Sequence, residues 1–335
     1  YVAVEGECWA VDVVTGSPQF VLKAPQLADQ RSDWGYLNQE GELLFGSGMK
    51  AGASLRELSR DTINFMIEGD FRPMIASTYL FAMDRRTGDV QWSYTGNSVI
   101  MNNGITTGDG RLYFVESRSE KALANEDGRL RVDWFCESDT ELVALDLARG
   151  DELWRHPVAF PYEQIMFLSY SDGVLLAVGS DNVDTKVQYD LFGFDAATGR
   201  PKWHNSCQNG DPIGGSHGEQ WQHPVIIGTR VFSDPFAFDL HTGEQLVYML
   251  DRGGHGCGGL TASTHFMYGR GGNPRMYPVG VEKTSGIRLT NVSRPGCWLN
   301  IIPAGGMIVL PESSSGCTCD YPIQTSFGFI PQSIL

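Results

Sequence analysis

The chain has 335 residues, enough for one large domain or two ordinary ones, and its 41% hydrophobic and 19% charged content is that of a globular protein rather than a disordered one. A net charge of −15 argues against nucleic acid and anionic membrane surfaces as partners. Arg252, Arg270, Arg275, Arg288 and Arg294 gather late in the chain, which leaves room for a basic channel inside an acidic shell. No apolar run approaches the length needed to cross a bilayer.

In chain order, Tyr1–Val4 has the pattern of a strand. With no initiating Met and no signal-peptide pattern, the start reads as that of a processed chain or a fragment, falling inside a repeat unit. Trp9-Ala10-Val11-Asp12 then leads through Thr15-Gly16 to Phe20. A polar loop follows, then a strand near Leu43-Leu44-Phe45. Over 54–68, Leu55, Leu58, Ile63 and Met66 fall near helical spacing, with Ser54 placed to cap and Glu57 three residues later, so a short helical insertion is expected there.

The clearest phrase is Phe81-Ala82-Met83-Asp84-Arg85-Arg86-Thr87-Gly88-Asp89-Val90-Gln91-Trp92. It reads as strand, Asp-x-x-Thr-Gly turn, second strand, terminal Trp. An aspartate at the head of the turn can accept hydrogen bonds from backbone N–H groups within it, and the glycine can take the left-handed conformation that closes a type I turn with a bulge. The phrase recurs from Val143 through Asp146 and Gly150 to Trp154, from Phe192 through Asp195 and Gly199 to Trp203, and from Phe236 through Asp239 and Gly243 to Tyr248. Val279-Gly280-Val281-Glu282 with Ser285-Gly286 is a degenerate copy, and Phe327–Ile330 is a strand echo without its turn. The spacing from Asp146 to Asp195 to Asp239 suits propeller blades.

Between the copies, Ile100–Thr106 and Arg111–Glu116 flank the hairpin signal Gly108-Asp109-Gly110, and Ile165–Tyr170 and Val174–Ser180 flank Ser171-Asp172-Gly173. Residues 117–133 are charged and read as a surface loop, and 204–220 as a Gly- and His-containing connection. The last third loses the Trp phrase and carries Cys, Arg and Gly at its turns instead, which suggests that these units do something else or are clamped by something else.

The Asp-x-x-Thr-Gly-x-x-x-Trp phrase resembles the repeat of quinoprotein-alcohol-dehydrogenase-like β-propellers, the pyrroloquinoline-quinone (PQQ)-like repeat, over most of the chain. The stretch from Arg294 to Cys297, Ile302-Pro303-Ala304, Cys317-x-Cys319 and Tyr321 resembles exported or uncharacterised bacterial members. The resemblance implies an all-β propeller of four-stranded blades, seven by the count of strand-turn units with eight as the alternative, making one domain over 1–335. It also implies that Trp92, Trp154 and Trp203, with Tyr248 and Phe20 as variants, dock against the neighbouring blade. Quinone-dependent members use an adjacent Cys-Cys pair over the cofactor and a Glu/Asn/Asp set on calcium; this sequence has no adjacent cysteines. The superfamily also contains non-enzymatic scaffolds such as outer-membrane assembly lipoproteins, and fold alone does not carry function.

Seven cysteines leave at least one unpaired in any disulfide scheme. Cys317 and Cys319, two apart in an extended segment, face one side, and the leading reading pairs one of them with Cys297 as a staple in an oxidising compartment. The alternative is a metal held by thiolates together with His255 or Cys257. Cys8, Cys136 and Cys207 read as buried small residues. His217, Glu219 and His223 precede a strand start, which in a propeller lies at the mouth of the central channel. There they can converge with His255 as a metal or acid–base site, against the plainer reading of loop histidines bonded to carbonyls. Arg270 and Arg294 are candidate carboxylate binders or ordinary ion-pair partners. Asn291-Val292-Ser293 is a lone glycosylation sequon. The leading expectation is an exported, periplasmic or cell-surface propeller that binds a protein, small-molecule or carbohydrate ligand at a channel mouth formed by the late blades, without catalysis. A quinone- or metal-dependent oxidoreductase and a carbohydrate-active lyase or hydrolase using His and Arg are the alternatives, and PQQ or a metal ion stays open as cofactor.

Overall fold

The computed structural model describes residues 1–26, 31–54, 74–184, 186–212, 222–252, 258–293, 295, 300–311 and 326–330. It is built almost wholly of antiparallel strands. The first sheet is Val2–Val4, Glu7–Val11 and Pro18–Lys23. A nine-stranded sheet follows, its main path running from Glu152–Pro157 through Thr140–Asp146, Arg111–Ser117, Val99–Gly108, Met74–Asp84 and Leu43–Lys50 to Ser32–Glu40. Ile165–Ser171, Val174–Val183, Lys186–Asp195 and Pro201–Pro212 form a four-stranded sheet in that order. Later come Val225–Ile227, Arg230–Ser233 and Phe236–Asp239, then a sheet around Phe266–Gly271 and Asn273–Pro278, and finally Ile302–Ala304, Met307–Leu310 and Phe327–Phe329.

The chain forms two compact units. Among the described residues, one takes in Tyr1 to Ser54, Met74 to Gly179 and Phe194 to Pro201, and the other Ser180 to Gly193 and the residues from Lys202 onward. In the first unit, Phe45, Leu80, Phe114, Val143 and Leu145 form one core and Trp34, Leu44, Tyr79 and Phe81 another. In the second, Phe232, Tyr248, Met267 and Tyr277 form a core, and Tyr268, Ile301 and Leu310 a smaller one. Central strands such as Arg111–Ser117 are buried almost throughout because both faces are covered. Glu7–Val11 alternates instead, with Cys8 and Ala10 inside and Trp9 and Val11 exposed.

Each turn is built alike. The amide of Gly16, Gly88, Gly150, Gly199 and Gly243 donates to the carbonyl of the aspartate four residues earlier, at 2.7–2.9 Å, and all five glycines have φ between 69° and 76°. The Asp84 carboxylate accepts from the amides of Arg86 and Thr87 at 2.8 and 2.9 Å. Asp12, Asp146 and Asp239 each accept two turn amides in the same way, and Asp195 accepts that of Thr198.

Two readings change. Residues 117–133 are not simply a surface loop. Ser119 caps a helical turn, Glu120–Leu123, by accepting from the Ala122 amide, Arg129–Leu130 pairs with the start of Met74–Asp84, and a second short helix runs Val132–Cys136. The apolar side chains of Ala122, Val132 and Phe135 hold the segment down. Val279–Glu282 is not a strand; the strand ends at Pro278, and the following residues make an excursion whose Lys283–Thr284 pairs in parallel with Met249–Leu250. Ile302–Ala304 and Met307–Leu310 form a hairpin that turns at Gly305 and Gly306, both at positive φ. The expected helical insertion lies mostly outside the described residues. Among the described residues no helix is long and apolar enough to cross a membrane.

Candidate functional site

Phe81–Trp92 and its copies ending at Phe20, Trp154 and Trp203 place an aromatic ring eight residues after the turn aspartate. A bulge delivers it: the pairing shifts by one residue between Ala10 and Val11, Ala82 and Met83, and Ala144 and Leu145, so that Phe20, Trp92 and Trp154 fall opposite the small residues Ala10, Ala82 and Ala144. The indole N–H of Trp92 donates to the Leu147 carbonyl at 3.0 Å, that of Trp154 to Ala196 at 3.3 Å and that of Trp203 to Leu240 at 2.9 Å. Each acceptor follows the aspartate of the next turn. The rings also lie on the next turn glycine: a Cβ at Gly150 would lie 2.7 Å from Trp92 and one at Gly199 2.6 Å from Trp154, and Gly243 faces Trp203 as closely. Trp92 is buried; Trp154 and Trp203 are half-buried. Phe20 is exposed, and Leu22 is the side chain that meets Gly88.

Tyr248 is built differently. In the Asp239 repeat Phe238 bridges Gln245 as Met83 pairs with Val90, and the Leu246 amide donates to the Ala237 carbonyl at 2.8 Å. Val247 turns outward, 80% exposed, and Tyr248 turns in against Phe232, with ring centroids 5.0 Å apart. A cleft of about 400 Å³ stands beside it, lined by Phe232, Ala237, Leu246, Val247, Tyr248 and Val281 among others.

In the second unit the strongest polar arrangement is centred on Arg252, which is 7% exposed. Its guanidinium donates to Asp234 Oδ2 at 2.9 Å, to Gln222 Oε1 at 3.3 Å and to the carbonyls of Gly258 and Arg270 at 2.9 and 3.0 Å. Arg270 is buried in Phe266–Gly271 and enters this arrangement through its carbonyl. His223, next to Gln222, is exposed. His217, Glu219, His255, Arg294, Cys257, Cys297, Cys317 and Cys319 lie outside the described residues, and with them the disulfide and metal readings. Cys8 and Cys207 are buried free thiols and Cys136 a half-buried one. Burial pushes the Cys136 and Cys207 thiols up to about 12, which makes them poor nucleophiles at neutral pH. No group of three or more His, Cys, Asp or Glu side chains able to hold a metal ion lies among the described residues, and the adjacent cysteine pair of the quinone enzymes is absent from the sequence.

A second polar cluster, in the first unit, escaped the sequence reading. Glu116 and Glu141 are directly opposite on neighbouring strands, an arrangement of like charges that needs compensation. Arg118 and Arg155 supply it, each pairing with both carboxylates, with Arg118 2.7 Å from Glu116 and Arg155 2.6 Å from Glu141. Tyr94 and Ser98 donate to the other oxygen of fully buried Glu116 at 2.9 and 2.6 Å. Burial, with the nearby Glu116 charge, lifts the Tyr94 phenol to about 12 and keeps it a neutral donor. Every group in this cluster is already engaged. The available signal was Glu116 near the end of its strand and Arg118 just past it, two residues apart; the distant partners gave none.

Comparison with known proteins adds to this geometry. Residues 76–218 match the family model described as outer membrane protein assembly factor BamB. The outer membrane protein assembly factor BamB of Burkholderia pseudomallei (strain K96243) is 26% identical over 169 residues, 50% of this chain and 39% of that protein. The crystal structure of BamB from Moraxella catarrhalis aligns over 92% of this chain and 74% of its own, with a TM-score of 0.46 and 14% identity. A chain of the crystal structure of the mitotic checkpoint complex aligns over 92% and 79%, with a TM-score of 0.55 and 11% identity, a likeness of fold alone. With the repeat phrase and its turns, the sequence matches fit a PQQ-like β-propeller repeat protein.

Proposed function

We propose that this protein is an exported, non-catalytic propeller that binds a polypeptide partner, in the manner of an assembly factor. The observation that carries the reading is the match of residues 76–218 to the outer membrane protein assembly factor model. It is supported by the two polar clusters, whose charged groups are taken up by one another or by carbonyls, as in a scaffold. The reading takes 1–335 as one propeller domain, seven-bladed with eight as the alternative. Its channel mouth, with His217, Glu219, His223, His255, Arg270 and Arg294, is the broader candidate surface, and Cys297 with Cys317 or Cys319 the candidate staple.

The test is purification of the tagged chain from its source after mild crosslinking, with an ultraviolet–visible and elemental scan of the same sample. A stoichiometric polypeptide partner with a spectrum free of cofactor absorption supports the reading. A quinone chromophore or a stoichiometric metal with no partner overturns it in favour of an oxidoreductase.

A further inference from the structure

The first sheet carries a cleft of about 630 Å³, within the size range of small-molecule sites. Its floor is set by two residues with little or no side chain, Gly6 and buried Ala24. The backbone there is tied on both sides: the Ala24 amide donates to the Gly6 carbonyl at 3.0 Å and the Trp34 amide to the Glu5 carbonyl at 2.8 Å. Glu5, at φ 52°, turns the chain between Val2–Val4 and Glu7–Val11, so a fixed hairpin shapes the cleft. In the strand register Glu7 is opposite both Val4 and Lys23, and Trp9 is opposite Val2, which puts Val4, Glu7, Trp9 and Lys23 on one face. The charges that line the cleft are sorted by sign. The acids Glu5 and Glu7 stand on the hairpin, and the bases Lys23 and Arg31 on the third strand and the connection to Ser32–Glu40. Surface arginines elsewhere in this unit take a nearby carboxylate, as Arg85 takes Glu42 and Arg149 takes Asp151. These four exposed side chains take no such partner among the described residues. Beside them the Trp9 indole is 36% exposed.

We propose that this cleft binds a zwitterionic ammonium–phosphate group, the chemistry of phosphocholine and phosphoethanolamine esters. An exposed indole face attracts an ammonium, a quaternary one above all, and the Glu5 and Glu7 carboxylates add their charge to that attraction. Arg31 can hold a phosphate with its fork and Lys23 as a point charge. A ligand of one sign finds two attractive and two repulsive charges around the cleft. A ligand that carries both signs on a short linker satisfies all four. It also adds no net charge to a chain already at −15, which disfavours simple anions. This site is independent of partner binding and lies on the first sheet, away from the late-chain residues that the sequence singled out.

The test is fluorine NMR of the whole chain labelled with 5-fluorotryptophan, its Trp9 resonance assigned by Trp9→Phe, titrated with glycerophosphocholine. The Trp9 resonance is expected to shift saturably while those of buried Trp34 and Trp92 stay in place. Choline alone and dimethyl phosphate alone should each bind about threefold or more weakly than the intact zwitterion. Glu7→Gln and Arg31→Gln, both exposed changes that require no repacking, should each weaken glycerophosphocholine binding by about threefold or more. No saturable shift of Trp9 at millimolar ligand, equal binding of the half-ligands, or unaltered binding to either variant would each overturn the site. Vesicles of phosphatidylcholine separate the two sources of the group. Sedimentation of the chain with them, lost in Trp9→Ala, supports the site at a lipid surface. Binding of glycerophosphocholine without Trp9-dependent sedimentation supports it as a site for a soluble ester.

Discussion

Gly150 is held at φ 74°, and a Cβ there would lie 2.7 Å from Trp92, whereas Gly110 has φ 70° with open space around it. Alanine at either position incurs the backbone cost of positive φ, about 1–3 kcal/mol. Only at Gly150 must the docked indole move as well. Urea denaturation of the two variants should find Gly150→Ala the less stable, and equal losses would mean that the indole is not held against the turn. The turn aspartates give a pH dependence. Backbone hydrogen bonds from Thr15 and Thr87 hold the Asp12 and Asp84 carboxyls below the usual range, and hydrogen bonds from Thr242 and His241 do the same at Asp239 against the opposing effect of burial. A depressed folded-state pKa means that the unfolded chain binds the proton more readily, so this stabilisation is complete above the ordinary aspartate value of about 4 and is lost as pH falls through the lower folded values. Asp84→Asn should flatten the acid limb of a stability–pH profile between pH 5 and pH 2, on the order of the window these carboxylates span, and leave its slope near neutrality unchanged.

Among the elements, the indole-bearing strands link consecutive repeats. Trp92→Ala should cost about 3–5 kcal/mol, the range for large buried aromatics, and the half-buried Trp154 and Trp203 less, which differential scanning calorimetry can rank. The Glu116–Arg155 pair is the counterpart among polar groups. Arg155→Met leaves Glu116 buried with one guanidinium fewer and should cost about 3 kcal/mol, whereas replacing Arg155 and Glu116 together with apolar residues should recover part of that loss. The strand-turn-strand elements were readable because their cause is local. An aspartate, a glycine four residues on and a tryptophan after that specify a turn, a positive φ and a ring, whatever the rest of the chain does. The departures came from long-range pairing. The partners of Glu116 sit on strands that the sequence does not show to be neighbours. Buried Ala122, Val132 and Phe135 turned a charged stretch into packed structure because three apolar contacts outweighed its composition.

For the whole molecule, the structure combines a repeated clamp with places where the clamp is withheld. The sheet at the start of the chain leaves Val2, Val4, Trp9 and Val21 exposed on one face, and the Asp239 repeat carries an exposed Val247 at the tryptophan position with Tyr248 packed on Phe232. The central claim is that this protein engages a polypeptide partner without catalysing a reaction. The most direct test is affinity purification of the tagged chain from its source after mild crosslinking, with mass spectrometry and an absorption spectrum of the same sample. One polypeptide should accompany the chain in stoichiometric amount, with no cofactor absorption. No such polypeptide, with a quinone chromophore or a stoichiometric metal in its place, would contradict the claim.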